Sequence, residues 1–277
     1  MSLQITLRVG ASRLASVAGL LLAGAVAQAG VVYETVERDL PSGQETAVST
    51  LQVQDGSMRV DTLKAGQKAP ESSMIFTGDA IIGIDHNKKQ YTHMDRAQLR
   101  QLAGQVNQAM KEMESQLASM PPEQRAMVEK MMGKNIPGAD KPKRVAPTFT
   151  RTSRTENAAG HTCQVWEGHR DGQKVTEHCI VPYGNLTGGN EMGQVMKSMT
   201  AMMDELFSAM DSAWLEGIVR NEWEGLRTID GYPVISRTFA DGKATDEYAL
   251  RSARSASMPA AQFAAPAGYK RKDLKPQ

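Results

Sequence analysis

Apolar and polar residues alternate over short stretches in both halves of the chain, and turn residues separate these stretches. Strands are predicted at 31–37, 46–53, 58–63, 73–76, 80–84 and 90–94, and again at 148–156, 161–169, 173–181, 232–239 and 245–253. Most neighbouring strands are joined by hairpin-type turns such as Asp55-Gly56 and Asp241-Gly242. Because a tight turn joins antiparallel neighbours, the pattern predicts antiparallel meanders and not a parallel sheet.

In two places the apolar spacing changes from the period of a strand to that of a helix. One stripe contains Leu99, Leu102, Val106, Met110, Met113, Leu117 and Met120, and the other contains Met192, Met196, Met199, Met203, Leu206 and Met210. Residues three or four apart share one face of a helix, so each stripe predicts a long amphipathic helix. Asp95 and Asn190 are the predicted N-caps. Pro121-Pro122 is expected to end the first helix, and a short helix is predicted over 123–132.

The order of the elements, strands and then a helix in each half, predicts the α+β class. Residues 134–146 are rich in proline and glycine and are predicted to be an exposed connector between the halves. The halves show no sequence similarity to each other that would indicate a repeat. We therefore expect one α+β domain over 30–269, followed by a polar tail over 270–277.

Residues 1–29 have the layout of a secretion signal peptide. Arg8 and Arg13 precede the apolar run 14–26, and Ala27-Gln28-Ala29 follows it as a small-x-small cleavage site. The apolar run is too short to cross a bilayer comfortably, so we expect cleavage after Ala29, with an uncleaved anchor as the alternative. No later stretch approaches the roughly 18 apolar residues of a spanning helix. The sequence therefore predicts a soluble protein exported to a bacterial periplasm.

The charge of the chain narrows the range of partners. The 277 residues have a formal net charge of +1, and the predicted signal contributes only the basic residues Arg8 and Arg13. The remaining chain is close to neutral, whereas a nucleic-acid-binding domain usually has a clustered basic surplus. We therefore expect no nucleic-acid partner.

The chain has 2 cysteines, Cys163 and Cys179, and both fall in one predicted hairpin. If Arg170-Asp171-Gly172 forms a three-residue loop, His169 and Gln173 close it, and Cys163 lies directly opposite Cys179. Export would place both thiols in an oxidising compartment. We therefore predict a structural disulfide.

A metal site is the alternative interpretation of the same hairpin. His161 and Cys163 share one face of their strand and Cys179 lies opposite, whereas His178 points to the other face of the sheet. Three converging ligands fall short of the four that a closed zinc site uses. The sequence therefore assigns no metal ligand.

The chain contains 17 methionines and only 5% aromatic residues. The methionine-rich stripes suit either an ordinary core or a pliable surface for an apolar ligand of variable shape. On the second interpretation, the candidate ligand-lining residues are Met110, Met113, Met196, Met199 and Met203. A third interpretation is copper(I), which thioethers bind, but the sequence marks no converging set. No cofactor is assigned.

No catalytic motif stands out in the sequence. The G-x-S-x-G, H-E-x-x-H, Walker and G-x-G-x-x-G patterns are all missing. We therefore expect a protein that is not an enzyme and assign no catalytic residue. An active site assembled from residues distant in sequence is the alternative.

Several short motifs resemble one group of exported proteins. They are Gly160 to Glu167, Arg170-Asp171-Gly172, Glu177-His178-Cys179, Ile84-Asp85, Lys88 to Tyr91, Met120 to Glu123, Met258-Pro259, Phe263 and Pro266 to Tyr269. The chain resembles an uncharacterised family of exported bacterial proteins with a lipoprotein-carrier-like (LolA/LolB-type) fold. The resemblance implies a curved antiparallel sheet, an incomplete barrel, covered by two long amphipathic helices that enclose an apolar cavity. It implies no catalytic residue.

These observations lead to one functional prediction and two alternatives. The prediction is a periplasmic binding or carrier protein for an apolar ligand, such as a lipid, an acyl chain or a hydrophobic peptide. The first alternative is an envelope structural or interaction protein without a ligand. The second is a periplasmic protein that handles copper or zinc. The sequence identifies no protein partner.

Overall fold

A computed structural model describes residues 30–125, 147–209 and 229–273. The predicted signal peptide, the connector over 134–146 and Met210 lie outside the described residues. Residues 122–125 are helical, as expected for the start of the short helix after Pro121, and the rest of that prediction also falls outside.

The described residues form one open sheet of 12 strands. The strands are β1 (Gly30–Asp39), β2 (Gln44–Gln54), β3 (Ser57–Lys64), β4 (Ser72–Phe76), β5 (Ala80–Asp85), β6 (Gln90–Asp95), β7 (Thr148–Ala158), β8 (His161–Arg170), β9 (Gln173–Val181), β10 (Tyr232–Ala240), β11 (Lys243–Ala256) and β12 (Lys270–Arg271). Their order is β12-β6-β5-β4-β3-β2-β1-β11-β10-β9-β8-β7. The predicted α+β class and antiparallel sheet are confirmed. Membership of the lipoprotein-carrier-like family stays a prediction.

Two-residue turns fix the register of several hairpins. Asp55-Gly56 has φ values of 51° and 74°, Asp171-Gly172 has 51° and 76°, and Asp241-Gly242 has 51° and 74°. Positive φ at both central positions is the geometry of a type I′ turn, whose twist matches that of the flanking strands. Asp-Gly therefore joins these strands directly, as the sequence pattern indicates.

Two further contacts extend the sheet beyond its hairpins. β1 pairs with β11, with Val36 opposite Ala249, and this pair joins the meander β1–β6 to the meander β7–β11. β12 runs parallel to β6, with the Lys270 amide donating to the Lys89 carbonyl at 3.0 Å. The sequence pattern did not predict β12, because Lys270 and Arg271 lie in a polar stretch without strand periodicity.

The described residues include two helices that contact each other. Helix α1 spans Arg96–Ser119 and helix α2 spans Gly189–Ala209. The two helices meet where Arg96 forms an ion pair with Glu205, with Nη1 and Oε2 2.8 Å apart. None of the described helices combines the length and apolar character that crossing a membrane requires.

The start of α1 agrees with the sequence prediction, and the start of α2 does not. The Asp95 carboxylate accepts from the Gln98 amide at 2.8 Å, while the Gln98 side chain accepts from the Asp95 amide at 3.1 Å. This reciprocal pair is a capping box. Asn190 is not the N-cap of α2, because the helix already begins at Gly189. A Cβ atom at Gly189 would lie 1.9 Å from the Tyr183 carbonyl oxygen, so only glycine fits this entry to the helix.

We expect Asp95→Ala to lower the free energy of unfolding by about 1 kcal/mol, because it leaves the Gln98 amide in the first turn of α1 without its acceptor. Urea denaturation would measure the change. Gln101→Ala is the matched control, since Gln101 is exposed on the same helix. Equal stabilities of the two variants would contradict the capping role of Asp95.

The sheet carries an apolar cluster on each face. Helix α2 contributes Met192, Val195 and Met202 to the larger cluster, in which β4 supplies Phe76. The opposite face of β4 and β5 holds the smaller cluster, which consists of Ile75, Ile82 and Ile84, with Phe263 and Tyr269 from the C-terminal segment packed on it. Side chains alternate between the faces of a strand, so Ile75 and Phe76 point in opposite directions.

Candidate functional site

A cleft of about 830 Å³ lies between α2 and the adjoining ends of β9 and β10. It is lined by Ile180, Tyr183, Asn190, Gly193, Gln194, Met196, Lys197, Thr200, Ile229, Asp230, Gly231, Tyr232 and Pro233. This volume falls within the roughly 300–1,000 Å³ of typical small-molecule sites. The cleft is therefore the candidate functional site of the described chain.

The sheet side of the cleft is aromatic and aliphatic, and packing holds it in place. Tyr232 stacks on Tyr33 with ring centroids 5.5 Å apart and an angle of 15° between the rings. The Tyr33 hydroxyl donates to the Thr187 carbonyl at 2.6 Å, next to the start of α2. Burial raises the pKa of Tyr232 well above its usual value, so this phenol stays neutral. Tyr232 is thus held in place and adds no charge to this side of the cleft, where Asp230 is the charged residue.

Gly231 allows the two strands at the floor of the cleft to approach each other. Its φ is +148°, and a Cβ atom there would lie 2.6 Å from both Ile180 Cγ2 and the Val181 carbonyl oxygen. Any other residue would push β10 away from β9. The close approach keeps Ile180 and Tyr232 side by side in the wall.

The helix side of the cleft is mostly polar. Asn190, Gln194, Lys197 and Thr200 project from α2, and Gly193 leaves room for the Tyr183 ring, since a Cβ there would lie 3.2 Å from it. Burial and then the nearby Asp230 carboxylate raise the pKa of Tyr183. Lys197 and Asp230 are the charged residues among those that line the cleft. The site thus combines an apolar wall with a polar one.

The structure separates the five methionines that the sequence analysis proposed as ligand-lining. Met196 lines the cleft. Met199 packs against the core cluster, while Met203, Met110 and Met113 are half-buried and do not line this cleft. The fully buried methionines of α2 are Met192 and Met202 instead. The predicted stripe therefore mixes core positions with one cleft position.

The predicted disulfide is present, but its register differs from the prediction. Cys163 and Cys179 are joined with their Cα atoms 5.2 Å apart, and both are 1% exposed. The loop is the two-residue turn Asp171-Gly172, and a register shift follows Gly168. Val165, not Cys163, therefore lies opposite Cys179. The bridge connects the strands diagonally.

The histidines near this hairpin have other partners. The His161 ring lies 3.1 Å from the Asn185 carbonyl oxygen, measured from Nδ1. His178 contacts the Thr176 and Ser236 hydroxyls at 3.0 and 2.9 Å, and burial lowers the pKa of its ring to about 4. Within residues 30–125, 147–209 and 229–273, no three His, Cys, Asp or Glu side chains are grouped as metal ligands.

A second polar cluster brings a serine and a histidine together on the other face of the sheet. Ser73 Oγ lies 2.7 Å from His86 Nε2, and the Tyr269 hydroxyl lies 3.1 Å from His86 Nδ1. Ser73 also donates to Asp61, which Arg59 holds at 2.8 Å. In an activated serine the hydroxyl donates to the histidine, whereas here it donates to the carboxylate. The cluster anchors the C-terminal segment to the sheet.

No protein-family model and no curated protein matches the sequence. Among solved structures, an uncharacterized conserved protein from Thermus thermophilus is similar with a TM-score of 0.39 and 8% identity, over 87% of this chain and 89% of that one. A structure of PNGF-II is similar with a TM-score of 0.38 and 8% identity, over 89% of this chain and 31% of that one. The MucA/MucB complex of Pseudomonas aeruginosa gives a TM-score of 0.34 and 10% identity, over 88% of this chain and 58% of that one.

Proposed function

We propose that the chain is an exported binding protein that holds an apolar ligand in the cleft between α2 and the ends of β9 and β10. The cleft itself carries this proposal, because Ile180, Tyr183, Tyr232 and Pro233 are among the residues that line its space of about 830 Å³. The disulfide supports export, since such bonds persist in oxidising compartments. The proposed activity is binding and not catalysis.

Binding would be driven by removal of apolar ligand surface from water. Each buried methylene group of a ligand contributes about 0.8 kcal/mol. Tyr232 in the wall stacks on the buried Tyr33, so its ring does not have to be ordered when the ligand arrives. Met196, with its unbranched and polarisable side chain, adapts to the shape of the ligand. A preformed wall and one flexible residue therefore suit an apolar ligand.

We expect Met196→Gln to weaken binding of an apolar fluorescent probe, N-phenyl-1-naphthylamine, by about fivefold or more. The substitution keeps the length of the side chain but places an amide against the ligand, and burying an unpaired amide costs roughly 1–3 kcal/mol. Fluorescence titration would give the dissociation constant.

Met203→Gln is the matched control, because Met203 lies on the same helix, is half-buried and does not line the cleft. We expect this variant to bind the probe as the unmodified chain does. Circular dichroism would show that both variants keep their fold. If the probe binds and both variants bind it as tightly as the unmodified chain does, the cleft is not the binding site.

A further inference from the structure

The unequal walls of the cleft carry information about the class of ligand. Asn190, Gln194, Lys197 and Thr200 follow one another at spacings of three or four residues. Residues at this spacing lie above one another on a helix, so the four side chains form a polar stripe along the cleft. The opposite wall presents Ile180 and Pro233.

The polar stripe has unused hydrogen-bonding capacity. In the described parts of the chain, none of its four side chains has a hydrogen bond or ion pair with another residue. Two amides, a hydroxyl and an ammonium group therefore face the cleft with both donors and acceptors available. A ligand that covers the stripe must supply partners for these groups, because a polar group buried without one lowers affinity.

An acyl chain does not meet this requirement, whereas an extended peptide does. A hydrocarbon chain has no donor or acceptor along its length, so it would cover the stripe without satisfying it. A peptide carries one N–H and one C=O group per residue. In an extended strand successive side chains point to opposite sides, so every second side chain faces the apolar wall and the side chains between them face α2. The backbone N–H and C=O groups point sideways between the walls, where the long amide and ammonium side chains of the stripe can form hydrogen bonds with them.

The length and charge of the stripe limit the peptide further. From Asn190 to Thr200 a helix rises about 15 Å, at roughly 1.5 Å per residue. An extended chain covers that distance with about four to five residues, at roughly 3.3 Å per residue. Lys197 is exposed and has no acidic partner among the described residues, so it favours a ligand carboxylate on the α2 side of the cleft, away from Asp230, which lies near Tyr183.

We infer that the ligand of the cleft is an extended, apolar peptide segment of about four to five residues with an acidic group placed near Lys197. Alternate apolar side chains of the segment face Ile180, Tyr232 and Pro233, and the acidic side chain between them points to α2. This inference rests on the proposed binding function and names the class of ligand for the same site.

The test compares two probes by calorimetric titration of the purified chain. One probe is the acetylated and amidated peptide Leu-Val-Glu-Val-Leu, and the other is palmitate. We expect the peptide to bind, and Gln194→Leu to weaken it about tenfold while leaving any palmitate binding unchanged or stronger. Ser208→Leu is the control, since Ser208 is exposed on the same helix and does not line the cleft.

A charge reversal tests the acidic group separately. We expect Lys197→Glu to weaken the glutamate peptide about tenfold and to strengthen the matched peptide Leu-Val-Lys-Val-Leu by a similar factor. If the unmodified chain and the Lys197→Glu variant show the same ratio of affinities for the two peptides, Lys197 does not select the acidic group. Peptide binding that Gln194→Leu leaves unchanged would overturn the role of the polar stripe.

The two proposals fail in different ways. If palmitate binds and the peptide does not, the inference about the ligand class is wrong and the proposed binding function stands. If neither of these probes nor the naphthylamine binds, the binding function itself is wrong. If the peptide binds and Met196→Gln and Gln194→Leu both weaken it, both proposals are supported.

Discussion

Glu177→Gln is expected to lower the free energy of unfolding at neutral pH by about 3–5 kcal/mol, the usual cost of removing one partner from a buried ion pair. The Glu177 side chain is 5% exposed, and its Oε1 lies 2.9 Å from Arg237 Nη1. Its other oxygen accepts hydrogen bonds from Arg154 and Lys174. The glutamine variant therefore leaves three cations facing a neutral amide.

The surrounding acids reduce this imbalance without removing it. Arg237 also pairs with Glu156 and Glu247, each at 2.9 Å. Glu167 contacts both Arg154 and Lys174 at 2.9 Å. These acids are more exposed than Glu177, and each already has a cation as a partner. The loss of the central carboxylate thus falls mainly on Arg237 and Lys174, whose side chains are only 21% and 24% exposed and are less screened by water than Arg154.

The contribution of the Glu177 carboxylate to stability should also appear as a dependence of the free energy of unfolding on pH. Burial on its own would raise the pKa of Glu177, but hydrogen bonds from Lys174, Arg154 and Arg237 outweigh burial and lower it from 4.5 to about 2. Because the folded-state pKa is the lower one, the stabilisation is complete above about pH 5 and is lost as the pH falls towards 2. The difference corresponds to about 3 kcal/mol.

Urea denaturation between pH 7 and pH 2.5 would measure both effects. The stability of the unmodified chain should fall steeply with acidification, and that of Glu177→Gln should depend less on pH. Glu71→Gln is the control, since Glu71 forms an exposed pair with Lys64 at 3.7 Å. If the Glu177 and Glu71 variants are equally stable, the ion cluster does not stabilise the fold.

The strands could be predicted because their signals are local. Alternation of apolar residues defines each strand, and Asp-Gly at 55–56, 171–172 and 241–242 defines the turns. The pairing of β1 with β11 had no such signal, because it joins residues such as Val36 and Ala249 that are far apart in sequence. The ion cluster could not be predicted for the same reason, because Glu177 and Arg237 are also far apart in sequence.

The candidate site was predicted only in part, because the phase of a helix depends on what packs against it. The sequence stripe passed through Met196, Met199 and Met203, and it omitted Val195. In the structure Val195 and Met202 are buried in the core, so the helix is rotated slightly from the predicted phase. That rotation turns Met196 towards the cleft.

The polar stripe of Asn190, Gln194, Lys197 and Thr200 could have been found from its spacing along the helix. The apolar wall opposite could not, because its residues come from β9, β10 and the segments next to them.

Replacing both cysteines, as Cys163→Ala with Cys179→Ala, is expected to lower the free energy of unfolding by about 3 kcal/mol. The bridge spans a sequence separation of 16 residues. Closing a loop of this size removes about that much chain entropy from the unfolded state. Both sulfur atoms belong to the larger core cluster, so the alanine variant also loses some packing. Urea denaturation of the oxidised unmodified chain and of the double-alanine variant would measure the difference.

The bridge should also affect the cleft, because Ile180 follows Cys179 directly and lines the wall. In the double-alanine variant we expect faster amide hydrogen exchange in β8 and β9 than in the unmodified chain. Exchange in β3 to β5 should change little, since these strands lie on the far side of β1.

A reductant added during unfolding separates the covalent effect from the packing effect, since it should destabilise the unmodified chain and leave the double-alanine variant unchanged. If the reductant has no effect on either chain, Cys163 and Cys179 do not form the bridge in solution, and packing alone positions Ile180 in the wall.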